Sequence, residues 1–186
     1  MYYHKGGHFM NAIVVYKTKY GSTKTYARWI GEELGCKVAD RKDVTIEDLK
    51  TYDAIIYGGG LYAEMINGVN LITKNIDALQ NKKIAVYTTG ITPLDCREYY
   101  DKIVLEKNFK NGLPECIRVF NFTGKMILDE LSSVHRAALK TLKKIMSSKK
   151  EPTDMEKLLV ELCDADGDFS DRSQIAELIA YIKAEA

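Results

Sequence analysis

The sequence predicts an α/β domain with a doubly wound parallel sheet, on three observations. Short apolar runs alternate with amphipathic helical patterns over about 110 residues, as successive βαβ units require. The runs are continuous instead of alternating, which is the mark of strands buried on both faces. At 186 residues, 46% apolar and 28% charged, the chain also has the size and composition of one globular domain and not those of a disordered segment.

Residues 1–10 mix Tyr, His, Lys and Gly without a period and are expected to form a loose tail that includes His4 and His8, leaving 11–186 as a single domain. Ala12 to Tyr16 is the first strand. A polar loop follows, then a helix with Tyr26, Ala27, Ile30 and Leu34 on one face, ended by Gly35. Lys37 to Ala39 is a short strand and Thr45 to Lys50 a short helix. Ala54 to Tyr57 is a buried strand, Gly68 to Leu79 a helix, Ile84 to Tyr87 a strand, Asp95 to Lys107 a helix and Ile117 to Phe122 the last strand. Between it and a final helix over Ser170 to Glu185 the chain is too long for a plain connection, so a helical insert is expected at about 124–168. Leu131, Val134, Ala138, Leu142 and Ile145 mark its first helix; Met155, Leu158, Leu159 and Leu162 mark a second, entered through a Thr153 and Glu156 capping box.

Composition narrows the function. Lys plus Arg number 27 against 26 Asp plus Glu, a balance without the basic excess of a nucleic-acid binder. Four cysteines without a C-x-x-C pair suggest neither zinc nor disulfides. No apolar run approaches the roughly 20 residues of a membrane span, and no secretory signal opens the chain, so a cytoplasmic protein is expected. The carboxylates around Gly167 fail as a calcium loop, because Ile175 stands where the bidentate glutamate belongs.

In such a sheet, ligands bind beyond the carboxyl ends of the strands, so function is sought in three loops. The first places Thr18, Gly21, Ser22 and Thr23 between a buried strand and a helix N-terminus. Amides and hydroxyls there suit a phosphate, although the same residues would serve equally as helix caps. The Walker A and first-strand dinucleotide patterns are absent. The second, Gly58-Gly59-Gly60-Leu61-Tyr62-Ala63, lets backbone approach a flat ring and offers Tyr62 for stacking. Its formal dinucleotide spacing lacks the acidic residue that should end the next strand, where Tyr87-Thr88-Thr89 stands. The third, Thr88-Thr89-Gly90-Ile91-Thr92-Pro93, supplies amides and hydroxyls across the same crevice.

The run from Val14 to Ile30, with Thr18-Lys19-Tyr20-Gly21-Ser22-Thr23 at its centre, resembles the FMN-phosphate signature of the flavodoxin-like family. The resemblance implies a three-layer α/β/α sandwich with a five-stranded parallel sheet in the order 2-1-3-4-5. It implies FMN as cofactor, its phosphate held by Thr18, Lys19, Tyr20, Gly21, Ser22 and Thr23. Its ring would lie against Gly59, Gly60, Leu61 and Tyr62, and its pyrimidine edge against Thr88, Thr89, Gly90, Ile91 and Thr92. FMN brings hydride and one-electron chemistry, so no catalytic side chain is required, and His135 is read as a surface residue.

Unlike acidic electron-shuttling flavodoxins, this chain has balanced charge and no aromatic in its third loop. It is more similar to the flavodoxin-domain branch that includes the menaquinone-dependent protoporphyrinogen oxidases, in Tyr52-Asp53 leading the third strand, in Tyr62, in the insert and in Ser170-Asp171-Arg172-Ser173 at the last helix. The expected partner is a redox protein or a quinone-type small molecule. The insert reads Gly124-Lys125-Met126-Ile127-Leu128-Asp129 where those oxidases carry Tyr and Arg, which separates it from them in porphyrin recognition. The competing reading is a flavodoxin-fold protein-binding module that has lost FMN. Arg136, Lys140, Lys143 and Lys144 accompany the apolar stripe of the insert helix, a pattern compatible with peripheral lipid contact but more ordinary as a stripe packed on the domain with lysines in water.

Overall fold

Five parallel strands and one two-residue antiparallel strand, Met65–Ile66, make a six-stranded main sheet instead of the expected five-stranded one in the computed structural model, which describes residues 2–3 and 9–184; the parallel five form its body. They are β1 (Ala12–Lys17), β2 (Lys37–Asp40), β3 (Ala54–Tyr62), β4 (Lys83–Gly90) and β5 (Ile117–Thr123), in the order β2-β1-β3-β4-β5. Because side chains alternate along a strand, the continuous apolar runs divide between two cores. Ile13, Val15, Ile55, Tyr57, Ile84 and Val86 face α2 (Ile46–Lys50), α3 (Asn70–Thr73), α4 (Ile76–Leu79) and the helix that ends in α5 (Leu105–Asn108). Val14, Ile56, Ala85 and Tyr87 face α1 (Ser22–Leu34) and α8 (Ala176–Lys183). The layering on both faces is the one the sequence predicts, and the strand order is the one the family resemblance implies.

Several local expectations change. The helix expected over 68–79 divides into α3 and α4, where Asn75 Nδ2 donates to the Leu71 carbonyl at 2.9 Å and substitutes for the main-chain donor. The helix expected over 95–107 opens in a turn and contains a π-helical stretch, Tyr99–Val104, in which the adjacent Tyr99 and Tyr100 are both buried. The last helix starts late: Asp171 caps a short 3-10 turn, Arg172–Ile175, before α8. At the N-terminus, Tyr2–Tyr3 pairs antiparallel with Phe9–Met10, so the tail is not wholly irregular; His4, His8 and Glu185 lie outside the described residues.

The segment between β5 and α8 is closed at its base by an antiparallel pairing of Lys125–Met126 with Gly167–Asp168. It contains α6 (Ser133–Ser147) and α7 (Asp154–Leu162), the latter entered through the expected Thr153 and Glu156 box. The apolar stripe of α6 does not pack down as a unit. Val134 is 73% and Ile145 51% exposed, because the helix turns Leu139 and Leu142 inward instead.

Candidate functional site

The first loop joins β1 to α1 through Gly21, at φ +98°, a conformation that L side chains rarely adopt. Its hydroxyls do not cap the helix. Thr18 Oγ1 accepts from Gly21 N at 2.9 Å, Ser22 Oγ accepts from Lys125 N at 2.9 Å, and Thr23 Oγ1 lies 2.8 Å from Thr89 Oγ1. Among the described residues, the backbone N–H groups of Ser22, Thr23 and Lys24 have no acceptor, and no side chain caps the helix. Ser22 and Thr23 are nevertheless buried. Unpaired donors on a thirteen-residue helix, with no acidic residue in its first turn, leave a corner whose partial positive charge suits an anion.

The second and third loops are shorter than the sequence suggests, because their residues continue the sheet. β3 runs through Gly58, Gly59 and Gly60 to Tyr62, and β4 runs through Thr88 and Thr89 to Gly90. The three glycines do not take positive φ. Their role is close approach: a Cβ on Gly58 would collide with the ring of Tyr87 from the neighbouring strand. The actual turn is Ala63-Glu64, both at positive φ, after which Met65–Ile66 returns antiparallel on Leu61–Tyr62. Two non-glycine residues in that conformation are strained, and buried Asn108 holds them there. Its Oδ1 accepts from Ile66 N at 2.8 Å while its Nδ2 donates to the Glu64 carbonyl at 2.7 Å.

These elements surround a cleft of about 520 Å³ at the carboxyl end of the sheet. Of the predicted site residues, Thr18, Tyr20, Ser22, Thr23, Gly60, Leu61, Tyr62, Thr89, Gly90 and Ile91 line it. Gly21 shapes it from behind as the N-cap. Lys19, Gly59, Thr88 and Thr92 do not line it. Gly59 is packed against Ile66 and Asn67, Thr88 Oγ1 donates to Asn121 Oδ1, and the Thr92 carbonyl accepts from Tyr100. A second cleft, beside β5, is lined by Arg97, Arg118 and Gln174 among others and contains none of the predicted residues.

The remaining wall comes from the insert, which sequence reasoning left out of the site: Gly124, Lys125, Met126, Leu131, His135 and Leu142 are among its residues. His135 is no free surface residue. Its Nδ1 lies 2.7 Å from Tyr20 Oη and its Nε2 lies 3.3 Å from Lys19 Nζ. An ammonium can only donate, so Nε2 accepts and the ring proton sits on Nδ1, directed at the tyrosine oxygen. Burial, with Lys19 alongside, holds the imidazole below its ordinary range. The ring centroid of Tyr62 is 5.3 Å from that of His135, and burial pushes the Tyr62 hydroxyl up to about 12. Tyr62 is thus an apolar, neutral face beside the cleft. The alternation of Leu131, His135, Leu139 and Leu142 at helical spacing was the one sequence signal for this wall, but nothing local says which face of a helix turns towards a distant loop.

Unpaired amides at a buried helix end, opening on a crevice where parallel strands finish, define a class of architecture: α/β proteins with a crevice at the carboxyl edge of a parallel sheet, where such folds place their ligands. The chain belongs to the flavodoxin domain family, whose model matches residues 13–156. Solved structures similar to it include the WrbA-like flavodoxin from Agrobacterium tumefaciens, at 21% identity over 47% of this chain and 64% of that one, with a TM-score of 0.40. Others are flavodoxin 1 from Bacillus cereus, at 18% identity over 61% and 84% with a TM-score of 0.42, and the Trp repressor binding protein from Bacillus subtilis, at 14% over 61% and 85% with a TM-score of 0.46. The chain therefore spans less than two thirds of the Agrobacterium protein. No curated protein matches the sequence. Among the described residues no cluster of metal-ligating side chains occurs, and no helix is long and apolar enough to cross a membrane.

Proposed function

We propose that this chain is an FMN-binding redox protein whose cofactor lies in the cleft between the strand ends and α6. The observation that carries the reading is the unpartnered, buried N-terminus of α1, in a chain of the flavodoxin domain family. The amides of Ser22, Thr23 and Lys24 and the hydroxyl of Thr18 would hold the phosphate, and Gly60, Tyr62, Gly90 and Ile91 would border the ring. When bound, FMN supplies hydride and one-electron chemistry. The protein's own contribution is position and exclusion of water: Tyr62, Leu131, Leu139 and Leu142 form an apolar wall, while His135 and Tyr20 keep α6 against the first loop.

The same wall supports the finer reading of an oxidoreductase with a flat, largely apolar acceptor of the quinone type, in line with the similarity to the menaquinone-dependent protoporphyrinogen oxidases. A visible spectrum after incubation with FMN and desalting tests the first claim. The wild-type chain retains a perturbed flavin band, and Gly21→Asp combined with Thr23→Ala abolishes it, since the new carboxylate repels phosphate and strains the turn. Retention by a folded double variant sinks the site. A wild-type chain that takes up no flavin favours the alternative, a binding module of flavodoxin fold. Reoxidation of the reduced, loaded protein by a soluble quinone, faster than free FMN under the same conditions, tests the second.

A further inference from the structure

Lys125 stands where the insert meets the first loop. Its backbone N–H donates to Ser22 Oγ at 2.9 Å, and a Cβ on Gly21 would lie 3.8 Å from its Cε. The side chain thus runs past the N-cap of α1 and borders the cleft with Thr18 and Ser22. Its ammonium pairs with Glu130 Oε2 at 2.9 Å, a carboxylate of the same insert. The lysine side chain is 24% exposed and the glutamate 52%, so the cation is the more enclosed partner. An ammonium and the unpaired amides of a helix end therefore share one corner.

We infer that Lys125 is a ligand of the cofactor phosphate, completing from the insert a site that the first loop begins, and that Glu130 holds the ammonium until the phosphate displaces it. This rests on reading the cleft as an FMN site. A phosphate monoester carries nearly two negative charges at neutral pH and offers three acceptor oxygens, so it competes well with one half-exposed carboxylate. Two consequences of opposite sign follow. Loss of the ammonium weakens binding of the phosphorylated flavin only, and loss of the competing carboxylate strengthens it.

The experiment is titration of the flavin-free chain with FMN and with riboflavin, followed by quenching of flavin fluorescence. The wild type binds FMN more tightly than riboflavin. Lys125→Gln weakens FMN about tenfold, the effect of one charge-assisted contact, and leaves riboflavin within about twofold. Glu130→Gln tightens FMN several-fold and leaves riboflavin unchanged, which keeps the idea testable if the lysine variant fails to fold. Added sodium chloride erodes the FMN preference more in the wild type than in Lys125→Gln. Unchanged FMN affinity in Lys125→Gln overturns the inference, as does a parallel loss of both flavins or a weakening by Glu130→Gln. Equal binding of the two flavins by the wild type also overturns it while leaving a flavin site in place; binding of neither removes the FMN reading itself.

Discussion

The sheet and the insert are held by different forces. The apolar residues of β1, β3 and β4 are almost all buried, and they pack on both faces against helices. Neither α6 nor α7 contains a buried residue; the insert's buried side chains, Met126, Leu131 and Cys163, sit near its base and at helix ends. Its attachment to the first loop is polar: Lys125 to Ser22, and Tyr20 to Ser132 and His135. The cleft thus has one rigid wall made by hydrophobic burial and one weakly held wall made by hydrogen bonds. Such a division lets a protein keep its fold while one side of a site opens at small cost.

The largest contrast should appear in stability. Ile55→Ala removes a fully buried side chain from the centre of the sheet and costs about 2–5 kcal/mol. Leu142→Ala, on the half-buried face of α6, costs under about 1 kcal/mol. Urea unfolding of the two variants measures both, and equal losses would erase the distinction between the walls. A smaller effect sharpens it. Because the His135 pKa is depressed in the folded chain, the unfolded or detached form binds more protons just below the ordinary imidazole value of 6.5. The contact of α6 with Lys19 and Tyr20 is therefore fully present above that value and weakens as pH falls through and below it. Amide hydrogen exchange should show α6 losing protection on acidification while β3 and β4 keep theirs, and His135→Gln should flatten that dependence. The smallest effect belongs to the ion pair of Lys143 with Asp164, both well exposed and both within the insert. Lys143→Ala should move the thermal midpoint by less than about 2 °C.

Much of the rigid wall was legible in advance. Continuous apolar runs such as Ala54 to Tyr57 marked the strands, and the Thr18 to Thr23 spacing marked the loop that α1 leaves unpaired. The hairpin at Ala63-Glu64 was not, because neither residue favours positive φ; it exists through Asn108, far along the chain. Thr88 points elsewhere for a similar reason, since the partner of its hydroxyl, Asn121, is set by which strand lies beside it, and the Thr92 carbonyl is taken by the Tyr100 hydroxyl.

The amino-acid sequence by itself determined the alternation of strands and helices, the parallel character of the sheet and the position of the loop where the helix dipole meets the crevice. All of these follow from periodicity and from local backbone chemistry. Only the tertiary structure decided that Ser22 accepts from Lys125 instead of capping its helix, that His135 meets Tyr20, and that Leu139 and Leu142 turn inward while Val134 and Ile145 face water. Those choices join residues more than a hundred positions apart, and polar contacts at such separations leave no periodic trace in the chain that makes them.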